Sequence, residues 1–372
     1  MAVAAAVVPS NAGEETKSRI DSIFTPLVNG RLPGLALLVQ KDGRTLFRKS
    51  YGVRDLRTLA RIDPKTNFRL ASCTKQFTAM AIMLLVHDGK LRYDQKLADV
   101  FPEFPPYGRT ITIRHLLTHT SGLPDYEELM EVADKAKLAW TAAHQIQDDE
   151  VLGLLEHQDH GKFAPGTSWS YSNSGYVVLG LVVAKVSGER FGRFLRDRIF
   201  EPLQMKNTLA YVSGQNSPSE RAYGHTKEGD EFVESDQSST SATLGDGGVY
   251  SNVVDLAKWD LALRNGSLLN REEMKAGQMA VRLLDGSEPH WPTEPGGDNL
   301  NPGKPVSYGF GWFLDPYKGR ARTWHSGSTQ GFRTVIDRFT KEHLTIVILC
   351  NRTDLDPSSL ALRVADILED RQ

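Results

Sequence analysis

Only two cysteines, Cys73 and Cys350, occur in the 372 residues, so no disulfide scaffold organises the chain and two buried free thiols are expected. No apolar run approaches the roughly 18–20 residues needed to cross a bilayer as a helix, which excludes a membrane span of that kind. There is no long basic run either. The 44 Lys+Arg against 46 Asp+Glu leave a formal net charge of −2, which gives no footing to a nucleic-acid or anionic-membrane partner. No serine sits in G-x-S-x-G, so the nucleophile elbow of an α/β-hydrolase is absent. His115 and His119 have the i, i+4 spacing of a helical zinc pair, but Leu116 stands where a zinc protease needs glutamate, and no metal is expected. No internal repeat is present.

What remains is an ordinary globular composition, 40% hydrophobic and 24% charged, enough for one large domain or two lobes sharing a cleft. Residues 2–12 read AVAAAVVPSNA, apolar and ending in small residues with no basic stretch ahead. They are either the tail of a secretory signal, implying a periplasmic or secreted protein, or a short disordered terminus of a cytoplasmic one. A helical stripe covers Glu14 to Asn29. Strands are expected at Leu35–Gln40 and Thr45–Tyr51, joined by an Asp42-Gly43 hairpin turn. From 71 to 304 the pattern is mainly helical, with helices at Ile113–His119, Glu150–His157, Gly175–Val186 and Val253–Arg264. Val212–Ser241 and Leu284–Lys304 read as loops. Strand character returns at Tyr308–Leu314, Ala321–Trp324, Phe332–Phe339 and Leu344–Leu349, before a helix from Pro357 to Leu368. The economical fold is α/β of the α+β type. Residues 13–70 and 305–372 together build one antiparallel sheet flanked by helices, 71–304 form an inserted helical lobe, and the cleft between them holds the chemistry.

Ser72 and Lys75 form the only S-x-x-K in the chain, at the head of an apolar helix. An i, i+3 spacing places both side chains on one face, where an ammonium stabilises a serine alkoxide or an amine accepts its proton. A plain helix-capping serine gives the same pattern. Such a serine needs a base, and Tyr-Ser-Asn occurs twice, at 171–173 and 250–252. The second copy is accounted for by Asn252 capping a helix that carries Asp255 three residues on. The first follows the turn Phe163-Ala164-Pro165-Gly166-Thr167, which would hold Tyr171 at a cleft edge. A third element, Trp324-His325-Ser326-Gly327-Ser328, lies on a late strand whose backbone can bind an extended substrate and supply an oxyanion donor. An ordinary strand with a surface histidine reads the same way.

In combination, S-x-x-K, Y-x-N and H-x-G resemble the class C beta-lactamases, the D-Ala-D-Ala carboxypeptidases and D-aminopeptidases, and the beta-lactamase-like esterases. The resemblance runs from about Ile20 to Leu368 and includes Phe68–Lys75, Ile111–Leu123, Pro165–Gly175 and Gly247–Ala257. It implies a beta-lactamase/transpeptidase-like fold and a serine hydrolase working through an acyl-enzyme. Ser72 matches the acylated serine, Lys75 its partner, and Tyr171 the general base that later protonates the leaving group. Asn173 matches the residue orienting Lys75 and the substrate. His325, Gly327 and Ser328 match the substrate-binding strand, and the backbone N–H groups of Ser72 and Ser328 the oxyanion hole. No cofactor is implied, and the partner is a small-molecule ester, amide or beta-lactam. Oligomeric state is not fixed by any of these features.

One departure bears on specificity. True beta-lactamases usually begin the third motif with lysine, which helps bind the substrate carboxylate. His325 is mostly uncharged near neutral pH, which favours carboxylic esters or peptide-like amides over a true beta-lactamase, D-Ala-D-Ala carboxypeptidase or D-aminopeptidase activity. Arg333 either supplies a carboxylate-binding charge or makes a surface salt bridge. A rival of another class is a sensor or binding domain that acylates without turnover.

Overall fold

The run Leu35–Lys41, LALLVQK, is buried at every position but its last, as expected for a strand covered on both faces. It turns at Asp42 (φ 52) and Gly43 (φ 75), the two positive-φ positions of a type I′ hairpin. The returning strand, Arg44–Tyr51, is largely exposed and carries Arg44, Arg48 and Lys49, which suits a sheet edge. The full sheet has five antiparallel strands in the order Arg322–Thr329, Phe332–Phe339, Leu344–Cys350, Leu35–Lys41, Arg44–Tyr51. Leu35 pairs with Cys350 and Lys41 with Leu344, so the two ends of the sequence meet at its centre. The computed structural model describes residues 10–28, 30–135, 140–294 and 299–369.

Strand alternation divides the core. Leu35, Leu37, Val39, Ile346 and Ile348 pack with Ile20 and Phe24 of the Ser10–Phe24 helix and with Val364 of the Pro357–Glu369 helix. Ala36, Leu38, Val347 and Leu349 face the other way, into a second and larger cluster. That cluster centres on two helices apolar around most of their circumference, Lys75–His87 and Asn173–Ser187, as a helix enclosed by others must be. The chain is thus a mixed α/β protein with an antiparallel sheet and helices on both faces. Among the described residues no helix is long and apolar enough to cross a membrane.

Several elements differ from the sequence expectation. Tyr308–Leu314 is not a strand: Gly309 N–H bonds the Trp312 carbonyl at 2.9 Å, closing a tight turn. A side chain at Gly311 (φ 75) would meet Gln76 Cα at 2.8 Å, so that turn abuts the head of the Lys75–His87 helix. The expected 212–241 loop contains a hairpin, His225–Glu228 with Glu231–Glu234. The 321–324 strand is the first half of Arg322–Thr329. A three-stranded sheet of Phe68–Arg69, Val249–Ser251 and Leu209–Ala210 was not anticipated. The signal-like reading of residues 2–12 falls mostly on 1–9, outside the described residues, as does part of the 284–304 loop.

Candidate active site

Ala71–Thr74 form one 3-10 turn that runs directly into the Lys75–His87 helix. In a 3-10 turn residues i and i+3 eclipse, which brings Ser72 and Lys75 together more closely than a regular helix would. The turn is stitched to its surroundings on two sides. Leu70 N–H bonds the Val249 carbonyl at 2.9 Å, and Thr74 Oγ1 accepts from Val249 N–H at 3.1 Å. On the other side Thr334 Oγ1 donates to the Leu70 carbonyl at 2.8 Å, and the Cys73 thiol donates to the His325 carbonyl at 3.1 Å. The strand bearing Gly327 lies so near that a Cβ there would stand 2.2 Å from the Leu70 oxygen and 2.4 Å from Thr334 Oγ1. Close approach of two backbones is what requires glycine at this position.

Lys75 is fully buried. Its ammonium donates to Ser72 Oγ at 3.1 Å, Asn173 Oδ1 at 2.7 Å and the Asp246 carbonyl at 3.1 Å. All three of these acceptors are neutral oxygens, none of them a carboxylate. The same Nζ lies 4.8 Å from the Tyr171 ring centroid and 5.5 Å from that of Tyr176, within cation–π range. Asn173 opens the Asn173–Ser187 helix, whose N-cap Ser172 accepts from Gly175 N–H at 3.0 Å. Ser72, Tyr171, Asn173 and Ser328 line a cleft of about 1380 Å³, while Lys75 lies behind them. Trp169 and Trp291 also line it, their rings 4.7 Å apart. Seven carboxylates, four of them within 125–131, face two cations, Arg69 and Lys162, among the described lining residues. Lys162 is itself paired with Glu128 at 3.0 Å.

A sequence model of the family described as Beta-lactamase matches residues 20–369. The chain belongs to the Beta-lactamase family. It is 31% identical over 357 residues to a penicillin-binding protein of Bacillus subtilis (strain 168), covering 92% of this chain and 73% of that one. Its fold is similar to that of D-amino acid amidase from Ochrobactrum anthropi SV3, with a TM-score of 0.75, 23% identity and coverage of 97% and 99%. It is similar also to EstCE1, a hydrolase with promiscuous acyltransferase activity, with a TM-score of 0.76, 20% identity and coverage of 96% and 100%. The chain is thus similar in sequence to a penicillin-binding protein, and in fold to a D-amino acid amidase and a hydrolase.

Within this beta-lactamase-family chain, several sequence expectations need correction. His325 and Gly327 do not line the cleft. His325 is 1% exposed, on the inward face of its strand. Its Nδ1 bonds the Ser326 carbonyl at 2.6 Å and its Nε2 the Tyr308 hydroxyl at 3.1 Å. A carbonyl only accepts, so the proton is on Nδ1, Nε2 accepts from Tyr308, and neither nitrogen is left for a substrate. Burial first, and the Lys75 charge second, push its pKa down to about 3. The small charged fraction expected near neutrality is therefore absent. Among the described residues Arg333 makes no salt bridge and does not line the cleft; its Nη1 donates to the Thr329 and Phe332 carbonyls, both at 2.8 Å. Tyr250 is fully buried, its hydroxyl 3.4 Å from Arg221 Nη2 and Gln237 Nε2, and Asn252 caps the Val253–Asn265 helix through the N–H groups of Val254 and Asp255.

The helix read as Ile113–His119 ends at Leu117, and His119 lies beyond it at φ 60. The i, i+4 geometry of a metal pair is accordingly not formed, and His115 Nδ1 instead accepts from Thr112 N–H at 3.2 Å. His119 was passed over as a site residue, yet its ring lies 4.5 Å from that of Tyr171. Asp246, whose carbonyl holds Lys75, was passed over as well. Its only sequence signal is the glycine-rich stretch Gly245–Gly248 around it.

Proposed function

We propose that this chain is a serine hydrolase that forms an acyl-enzyme on Ser72. The observation carrying this reading is the fully buried Lys75 ammonium, 3.1 Å from Ser72 Oγ and held there by Asn173 and the Asp246 carbonyl. An ammonium so placed stabilises the alkoxide that attacks the carbonyl carbon. Tyr171 takes the serine proton and returns it to the leaving group; water then repeats the sequence on the acyl-enzyme, with the proton passing the other way. The backbone N–H groups of Ser72 and Ser328 receive the oxyanion.

The substrates favoured are carboxylic esters or peptide-like amides without a carboxylate near the reacting bond. The support is electrostatic. No histidine charge reaches the cleft from position 325, and carboxylates outnumber cations along its walls. Each like charge about 8 Å away costs an anionic substrate roughly 0.5 kcal/mol in a water-like dielectric, and several act together.

The test combines a substrate panel with mass spectrometry. A fluorophosphonate should leave one adduct, on the peptide containing Ser72, and Ser72→Ala should hydrolyse p-nitrophenyl esters at background. Loss of such a nucleophile typically costs on the order of 10⁴–10⁶ in kcat. Tyr171→Phe should be crippled and Tyr250→Phe nearly normal. An adduct elsewhere, or a dead Tyr250 variant with a healthy Tyr171 variant, refutes the assignment. A burst of one product equivalent without steady turnover would instead identify an acylating sensor.

A further inference from the structure

His119 is a fully buried imidazole that takes no part in the proton transfers above. It follows the Ile113–Leu117 helix in the left-handed region at φ 60, an uncommon conformation for a residue with a side chain. Its surroundings are those of Tyr171. The His119 carbonyl accepts from Ser170 N–H at 3.0 Å, and its Nδ1 accepts from Ser172 N–H at 3.0 Å. One residue therefore grips the backbone immediately before and immediately after the tyrosine. Its ring lies against the tyrosine ring, with 4.5 Å between centroids and 32° between planes. Tyr308, Tyr176 and Trp169 enclose the imidazole at 4.6, 5.2 and 5.6 Å.

The tautomer follows from these contacts. Because Nδ1 accepts an amide proton, the ring proton resides on Nε2, which is buried without a hydrogen-bond partner among the described residues. Burial first, then the Lys75 charge, hold the imidazole pKa well below its ordinary value. Protonating Nδ1 would set two donors against each other at Ser172 and place a second cation beside Lys75. The same bond reaches further along the chain. Ser172 caps the helix that begins at Asn173, and the bond to Asn173 Oδ1 is shorter than those from Lys75 to Ser72 Oγ and to the Asp246 carbonyl. An acceptor at position 119 thus fixes the segment carrying both Tyr171 and Asn173.

We propose that His119 is a positioning residue for the reaction: by accepting the Ser172 amide at Nδ1 and stacking on the Tyr171 ring, it holds the base and Asn173 in register with Lys75 and Ser72. This rests on the roles proposed for Ser72 and Tyr171, so the test includes a control for them.

His119→Asn and His119→Leu are nearly the same shape, and only asparagine offers an acceptor near the Nδ1 position while tolerating a positive φ. Each is compared with wild type and Tyr171→Phe. The readouts are the rate and final extent of fluorophosphonate labelling, and kcat and KM for p-nitrophenyl acetate across the pH range. Final extent counts folded sites, so rate reports the chemistry of whatever fraction folds. A positioned base contributes about 10²–10⁴-fold. His119→Leu should therefore lose about a hundredfold or more in labelling rate and kcat, with KM nearly unchanged and the acid limb of kcat/KM displaced. His119→Asn should stay within about tenfold of wild type with that limb in place.

Equal losses in the two variants, or losses confined to labelling extent, overturn the proposal and leave His119 a packing residue. If His119→Leu does not fold, His119→Asn decides alone, and a fall to the level of Tyr171→Phe overturns it. A fast Tyr171→Phe protein overturns the base assignment itself. A slow one beside an unaffected His119→Leu overturns only the positioning role.

Discussion

His325 gives the protein an acid sensitivity whose size follows from its surroundings. Its ordinary pKa of about 6.5 applies in the unfolded chain, and burial with the Lys75 charge lowers it to about 3 in the fold. The unfolded state therefore binds the proton first, so stability falls as pH drops below about 6.5 and goes on falling until about pH 3. Each pH unit inside that window costs about 1.4 kcal/mol, so acidification to pH 4.5 costs wild type on the order of 3 kcal/mol through this residue alone. His325→Gln keeps a polar side chain of similar reach toward Tyr308 but does not titrate. Urea unfolding of both proteins should be run at a series of pH values between 7.5 and 4.5, and the stability difference plotted. Whatever packing cost the substitution imposes is constant with pH and drops out of the slope. The expected result is a variant that gains on wild type as pH falls, by about 2–3 kcal/mol at the acid end. Parallel curves would refute both the neutral, doubly bonded imidazole and the claim that no charge from position 325 enters the cleft.

Gly327→Ala should lower kcat by about a hundredfold or more and reduce thermal stability. A Cβ placed 2.2 Å from the Leu70 carbonyl must push the strand off the turn that carries Ser72, and small misplacements at a reacting centre have costs of that order. A variant with normal kcat would show the strand free to shift. Both thiols should resist iodoacetamide in the native protein and react only after unfolding, because Cys73 and Cys350 are fully buried and burial raises the thiol pKa, to about 12 for Cys73. Rapid native labelling of Cys73 would mean that the turn beside Ser72 opens.

How much of this could be read beforehand depended on whether each feature was local. Ser72 and Lys75 are neighbours in sequence, and the Asp42-Gly43 hairpin is set by its own two residues. Both were legible. The third partner of Lys75, the Asp246 carbonyl, is 171 positions away and leaves no mark beyond glycines. His325 was assigned to the wrong face because RTWHSGST lacks a polar-apolar alternation; polar side chains occur on both faces, and the strand's inward side is itself polar. Tyr308–Leu314 looked like a strand because it is aromatic, but Gly309 and Gly311 make it a turn. His119 fitted the period of a helix that in fact stops at Leu117, so a residue touching Tyr171 was weighed only as a metal ligand. Strands of two or three residues, as in the 68–69, 209–210 and 249–251 sheet, are too short for any period to register.

The stitching of the nucleophile turn also governs when the site comes into being during synthesis. Leu70 is held by Thr334, 264 positions later, and Gly34 is tied to the Asn351 side chain, 317 positions later. The Leu35–Lys41 strand therefore leaves the ribosome with its hairpin partner Arg44–Tyr51 but long before its other neighbour exists, and its apolar faces must wait for Leu344–Cys350. Contacts this distant in sequence form slowly and expose sticky intermediates. A nascent or prematurely terminated chain can already carry Ser72, Lys75 and Tyr171 and still lack the wall that sets the turn. Activity accordingly reports on completion of the polypeptide, and the most dangerous interval for aggregation is the one between translation of the first hairpin and the arrival of its closing strands.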